Sequence, residues 1–120
     1  MKKVFIGLLL SFNIIFAGQV PSGSWSATSS NAGDCPTCKI KITKITPHII
    51  SIVSNNGWVG YAYYNSSTDS YKGASEWKSG QGGSYENVIF LLDIVYENRT
   101  LTIKGKTTKG TIISTYRKTN

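Results

Sequence analysis

The stretch HIISIVSNNGWVGYAYYN, residues 48–65, indicates the fold class of the chain. Two runs rich in Ile, Val and Tyr, residues 48–54 and 58–64, flank the turn sequence Asn55-Asn56-Gly57. β-Branched and aromatic residues favour strands, and Asn and Gly tolerate the positive φ angles of a tight hairpin. The stretch therefore predicts two antiparallel strands joined by a short turn.

Similar strand patterns continue on both sides of this hairpin. They are SWSAT (24–28), KIKITKIT (39–46), YKGASEW (71–77), YENVIFLLDIVY (85–96), TLTIKG (100–105) and TIISTYRK (111–118). No segment has a sustained helical period flanked by capping residues. The chain is therefore predicted to be all-β, a small antiparallel up-and-down meander barrel of about eight strands. A β-sandwich is the alternative, although it usually needs longer crossover connections.

The first 17 residues have the layout of a secretory signal peptide. Lys2 and Lys3 supply the positive start, and an apolar stretch over residues 4–16 follows. That stretch is too short and too interrupted to predict a membrane span. We expect residues 1–17 to be removed, leaving residues 18–120 as a single β-barrel domain without stable membrane insertion. The expected location is secreted or periplasmic.

Cys35 and Cys38 are the two cysteines of the chain, within the sequence GDCPTCKI. Cysteines of a secreted protein are expected to be oxidised, and a turn at Pro36-Thr37 brings their Cα atoms within bridging range. A thioredoxin-type site would need an α/β pattern, and a zinc site would need more ligands than the single histidine adds. We expect a structural disulfide, with no metal and no other cofactor.

The basic residues do not form the cluster that is typical of nucleic-acid-binding proteins. Without Lys2 and Lys3 the formal net charge falls from +7 to +5. The basic residues mostly alternate with apolar ones along the predicted strands, which indicates a solvated sheet face instead of a basic patch. We expect no nucleic-acid partner, while attraction to an anionic surface remains open.

Catalytic constellations are not evident in the sequence. His48, the only histidine, follows Pro47 at a predicted turn, and no G-x-S-x-G elbow accompanies it. Asp93 interrupts the most apolar strand, and the alternation that places Phe90 and Leu92 inside leaves Asp93 exposed. We therefore expect a protein that is not an enzyme.

The two ends of the predicted domain resemble the calycin superfamily of lipocalins and avidins. Gly23-Ser24-Trp25 matches the G-x-W motif at the start of the first strand, and TYRK, residues 115–118, closes the last strand. The resemblance implies a single lipocalin-like β-barrel domain over residues 18–120. It also implies that Trp25 plugs one end of the barrel and that Arg117, or alternatively Lys118, stacks on its ring, a favourable cation–π contact.

The aromatic residues suggest a binding function. Beyond residue 17 the chain has one Phe, three Trp and seven Tyr, a composition suited to rings that are partly buried and partly polar. Trp58, Tyr64, Tyr71 and Trp77 are the predicted ligand-binding residues, because they share inward faces with small residues such as Gly60 and Gly73, which we expect to give the interior room.

We expect a secreted β-barrel protein, monomeric or in a small oligomer, that binds a small apolar or amphipathic ligand. The alternative is a protein-interaction or inhibitor module that acts through its exposed Tyr and Lys surface, including Tyr61 and Tyr63.

Overall fold

Eight antiparallel strands form the fold in the computed structural model, which describes residues 19–33, 35–80 and 83–119. The predicted signal peptide lies outside these ranges. The strands are β1 (Gly23–Ser30), β2 (Lys39–Thr46), β3 (Ile49–Ser54), β4 (Trp58–Asn65), β5 (Ser70–Trp77), β6 (Ile89–Glu97), β7 (Thr100–Thr107) and β8 (Gly110–Lys118). Each strand pairs with the next and β8 pairs with β1, so the barrel is closed. The predicted up-and-down barrel is confirmed, and the alternative β-sandwich is wrong.

Short turns explain why neighbours in sequence are also neighbours in the barrel. Asn98 and Arg99 join β6 to β7 with φ angles of 53° and 63°, the conformation of a two-residue hairpin turn. Gly57, with φ of 104°, completes the predicted Asn-Asn-Gly turn between β3 and β4. A short 3₁₀ helix, Gly83–Tyr85, precedes β6. Over the described ranges, no helix has both the length and the apolar character needed to cross a membrane.

Alternation along the strands places one set of side chains inside the barrel. The buried apolar residues are Val20, Trp25, Cys38, Ile40, Ile42, Ile50, Ile52, Trp58, Ala62, Tyr71, Trp77, Phe90, Leu92, Ile94, Leu101, Ile103 and Tyr116. Asp93 points outward, as predicted, and forms an ion pair with Lys72 on β5 at 2.8 Å. Both charges therefore stay at the surface, where neither bears the cost of burial.

The two ends of the barrel are filled differently. At the end where β1 begins and β6 ends, Trp25, Tyr71 and Val20 are fully buried. Trp25 meets the ring of Tyr96 edge-on at 5.6 Å, and Tyr71 meets Tyr64 at 5.2 Å. We call this the closed end. A cavity opens at the other end, where the loops β1–β2, β3–β4, β5–β6 and β7–β8 come together.

Candidate ligand-binding cavity

A cavity of about 570 Å³ occupies the open end of the barrel. It is lined by Ala27, Thr28, Ser29, Ser30, Ala32, Gly33, Cys35, Pro36, Cys38, Asn56, Trp58, Trp77, Tyr85, Phe90, Ile103, Gly105, Ile112, Ser114 and Tyr116. Its volume lies in the range of pockets that enclose small organic ligands. The walls of the cavity differ in chemistry from one side to the other.

One side, which we call the aromatic wall, consists of Trp58, Trp77, Tyr85 and Phe90. Trp58 and Trp77 are cross-strand partners on β4 and β5. Trp77 stacks on Tyr85 with ring centroids 5.4 Å apart, and Phe90 lies 5.2 Å from Trp77 and 5.8 Å from Trp58. The indole Nε1 of Trp77 donates to the Asn56 carbonyl at 3.0 Å. These contacts hold the Trp77 ring in one orientation.

The opposite side, the hydroxyl wall, comes from β1 and β8. The Ser114 hydroxyl donates to that of Ser30 at 3.0 Å, and the Thr28 and Thr115 hydroxyl oxygens lie 2.8 Å apart. The β1–β8 register shifts between Ala27 and Ser29, which marks a β-bulge. Because a bulge changes which side chains face inward, it brings consecutive hydroxyl residues to the cavity.

The third part of the wall is the disulfide loop between β1 and β2. Cys35 and Cys38 form the predicted disulfide, with Cα atoms 5.2 Å apart. The Cys38 carbonyl accepts a hydrogen bond from the backbone N–H of Ala27, and Asn55 Nδ2 donates to the Thr37 carbonyl, both at 2.9 Å. The loop closed by this bridge is short, so the disulfide contributes at most about 2 kcal/mol of stability. Its position in the cavity wall was not predicted.

Charged side chains are absent from the lining among the residues that the structure describes. Lys109 lies at the rim, with its Nζ 6.0 Å from the centroid of the Tyr85 ring. An ion placed deep in the cavity would lose hydration without meeting an opposite charge. The cavity therefore suits an uncharged molecule.

The structure divides the four predicted ligand-binding residues into two pairs. Trp58 and Trp77 line the cavity, whereas Tyr64 and Tyr71 lie at the closed end. Tyr64 donates its hydroxyl to the Asp69 carboxylate. The sequence separation within each strand could have indicated this division, because residues six positions apart on a strand lie about 20 Å apart.

Sequence reasoning missed Tyr85, Phe90 and the hydroxyl wall. Phe90 was placed inside by the alternation of β6, but the register that brings it beside Trp77 was not available from the sequence. Tyr85 belongs to a 3₁₀ helix, whereas the sequence pattern placed it at the start of a strand that begins only at Ile89 in the structure. Nothing in the local sequence indicated that Tyr85 would stack on Trp77.

The residues implied by the calycin resemblance are placed as follows. Trp25 is fully buried at the closed end, and Tyr96 is the ring that meets it. Arg117 is exposed and lies opposite Ser26, while Lys118 lies directly opposite Trp25. The register therefore does not bring Arg117 to Trp25, and it favours Lys118, the alternative basic residue.

The two glycines that were expected to give the interior room have a different role. Neither Gly60 nor Gly73 lines the cavity. A Cβ atom added at Gly73 would lie 1.9 Å from the Tyr61 carbonyl oxygen, and one at Gly60 would lie 2.7 Å from a side chain of the neighbouring strand. Both positions need glycine for close approach of neighbouring strands. Gly105 is the described glycine of the barrel wall that lines the cavity beside Phe90.

Three tyrosines have raised pKa values. Burial raises the pKa of Tyr116 to about 12, although a hydrogen bond with Ser114 opposes the shift. The hydrogen bond to Asp69 is the main cause that raises the pKa of Tyr64 to about 12. Burial also raises the pKa of Tyr71. The folded barrel therefore holds these three hydroxyls in the neutral form.

These shifts predict a loss of stability at alkaline pH. A group whose pKa is higher in the folded state stabilises fully below its unfolded value of 10.0, and this contribution is lost as pH rises towards about 12. We expect tyrosinate absorbance to show late ionisation of Tyr64, Tyr71 and Tyr116. Tyr116→Phe should remove one late-ionising group. Ionisation of Tyr64 and Tyr116 near 10.0 in the folded protein would contradict the prediction.

Comparison with known proteins found no match to this chain. No family model matches the chain, and neither a curated protein nor a solved structure matches it. The closed eight-stranded antiparallel barrel is the architecture that the calycin resemblance implied. Membership of that superfamily stays a hypothesis based on the architecture and the motifs at the two ends.

Proposed function

We propose that the protein binds a small, uncharged, amphipathic ligand in the cavity at the open end of its barrel. The observation that carries this proposal is a cavity of about 570 Å³ with an aromatic wall on one side and a hydroxyl wall on the other. Ligand sites usually combine apolar rings with a few polar groups that fix orientation. A ligand with one flat apolar face and one hydrogen-bonding edge fits both walls.

Rigid cavity walls favour such binding. Trp77 is held by the Asn56 carbonyl and by stacking on Tyr85, and the Cys35–Cys38 disulfide closes the loop beside them. A preformed site loses less conformational entropy when the ligand enters than a mobile one. The aromatic wall then supplies apolar contact area, while Ser30 and Ser114 supply donors and acceptors.

Binding without catalysis is part of the proposal, and so is a secreted or periplasmic location. Of the lining residues that the structure describes, none is a His, Asp, Glu or Lys that would act as a general acid or base. The Cys35–Cys38 disulfide supports the location, because such bonds persist in oxidising compartments.

Cavity filling tests the proposal. The probe is N-phenyl-1-naphthylamine, a neutral fluorophore with a flat apolar ring system. Ala27→Phe places a ring in the cavity, and we expect it to weaken probe binding at least about tenfold, a loss of about 1.4 kcal/mol. Ala74→Phe is the matched control, because Ala74 is exposed on the outside of β5 and does not line the cavity.

Equal probe affinity in both variants would contradict the cavity proposal, as would failure of the unaltered protein to bind the probe. Native mass spectrometry of the protein from its own cells identifies the natural ligand by mass. We expect a discrete adduct that disappears on denaturation, and a bare polypeptide would count against the proposal.

The second candidate function is a protein-interaction or inhibitor module that uses the outside of the barrel. Tyr61 and Tyr63 are 62% and 54% exposed, which supports a role for that surface. Tyr61→Ala distinguishes the candidates, because it should leave probe binding in the cavity unchanged and weaken an interaction of the outer surface.

A further inference from the structure

The outside of the barrel is divided into two chemically different halves. On β3–β6 the outward side chains are mostly apolar, and we call this surface the apolar half. It comprises Ile49, Val53, Val59, Tyr61, Tyr63, Ala74, Ile89, Leu91 and Val95. On β7, β8, β1 and β2 the outward side chains are mainly Ser, Thr, Lys and Arg, with Ile45 and Ile113 as the large exposed aliphatic residues.

The apolar half is continuous across the strands. Tyr61 lies opposite Ala74, and Ala74 lies opposite Leu91, so one row of apolar side chains crosses β4, β5 and β6. Ile89 and Leu91 are 65% and 61% exposed. A contiguous exposed apolar surface of this kind usually marks a site of interaction with a protein or a membrane.

Lysines border the apolar half on both sides. Lys41 on β2 lies opposite Val53, and Lys106 on β7 lies opposite Leu91. Lys39 and Lys104 extend the two borders along the same strands. All four lysines are exposed. The surface therefore has an apolar centre between two positively charged edges.

Few charges within the apolar half offset these edges. Lys72 and Asp93 neutralise each other in their ion pair, which leaves the exposed Glu76 and Glu97 as the acids without a described ion pair on the outward face of these strands. Four border lysines against two glutamates give the face a net positive charge. Charge complementarity calls for an anionic partner.

A second copy of the chain does not satisfy this requirement. In a two-fold face-to-face dimer, the borders of one copy lie over the borders of the other, and both borders carry lysines. Like charges would face each other across an apolar interface. The outside of a closed barrel is also convex, so a protein partner would need a matching groove, whereas a fluid bilayer adapts to the convex surface.

We propose that the apolar half, with its lysine borders, docks on the surface of an anionic lipid bilayer without spanning it. Tyr61 and Tyr63 have the amphipathic rings that favour the headgroup region, and Ile89 and Leu91 reach the boundary of the acyl chains. Each lysine near an anionic surface contributes on the order of a fivefold gain in affinity. This inference does not depend on a ligand in the cavity.

Site-specific labelling tests which face of the barrel meets the membrane. An environment-sensitive fluorophore is attached at Ala74→Cys, in the centre of the apolar half, or at Ile113→Cys on β8, with the Cys35–Cys38 disulfide kept intact. The vesicles are phosphatidylcholine with or without phosphatidylglycerol. We expect a blue shift at position 74 with the anionic vesicles alone, and no shift at position 113.

The lysine borders are tested by charge removal. Replacing Lys41 and Lys106 together by glutamine should weaken binding to the anionic vesicles about thirtyfold. Arg117→Gln removes one positive charge from the opposite half and should change affinity less than about twofold, because salt screens distant charges. Equal shifts at both labelled positions, no shift at either, or equal binding to neutral vesicles would overturn the proposal.

Discussion

Replacing Trp25 by alanine is expected to lower the free energy of unfolding by about 4 kcal/mol. The indole is fully buried at the closed end and meets Tyr96 edge-on. Alanine would leave a cavity that the β-ladders on both sides of β1 prevent from collapsing. The cost combines the lost transfer free energy of the ring with the lost contacts around it.

Urea denaturation followed by circular dichroism measures this loss, and Trp25→Phe is the matched control. The Trp25 indole N–H is buried without a hydrogen-bond partner among the described residues. Phenylalanine keeps a ring and removes this unpaired donor, so we expect a loss of only about 1 kcal/mol. If alanine cost no more than phenylalanine, Trp25 would not be filling the closed end as the structure indicates.

Strand alternation made the interior of the barrel predictable. The alternation of β6 placed Phe90 and Leu92 inside before any tertiary information. This works because a shift of one residue would move a whole apolar set into water. Short turns between the strands then leave few alternatives to a meander.

The cavity was less predictable because it depends on long-range register and on loops. Trp58 and Tyr64 share a face of β4, so alternation alone grouped them, while their separation along the strand places them at opposite ends of the barrel. The bulge near Thr28 and the conformation of the disulfide loop arise from contacts between distant segments. The local sequence does not predict those contacts.

The prediction for Gly60 and Gly73 was limited in the same way by missing long-range information. The small residues at positions 60 and 73 were expected to give the interior room, but their sequence context does not show what fills the space beside them. In the barrel, strand β4 approaches Gly73 so closely that no side chain fits.

Gly73→Ala is therefore expected to destabilise the barrel by about 3 kcal/mol or more. The new Cβ would lie 1.9 Å from the Tyr61 carbonyl oxygen and 2.6 Å from the Ala62 Cα atom. Both are backbone atoms of β4, so relief requires β4 and β5 to separate and weakens the hydrogen bonds between them. Urea denaturation measures the loss of stability, and hydrogen exchange shows whether protection decreases in β4 and β5.

Gly105→Ala gives the contrast that makes this prediction specific. Its Cβ would lie 2.7 Å from the Phe90 ring, a side chain that can move towards the cavity. We expect a loss of about 1 kcal/mol together with weaker binding of N-phenyl-1-naphthylamine, since the displaced ring occupies part of the cavity. If Gly73→Ala were as mild as Gly105→Ala, close backbone approach would not be what requires glycine in β5.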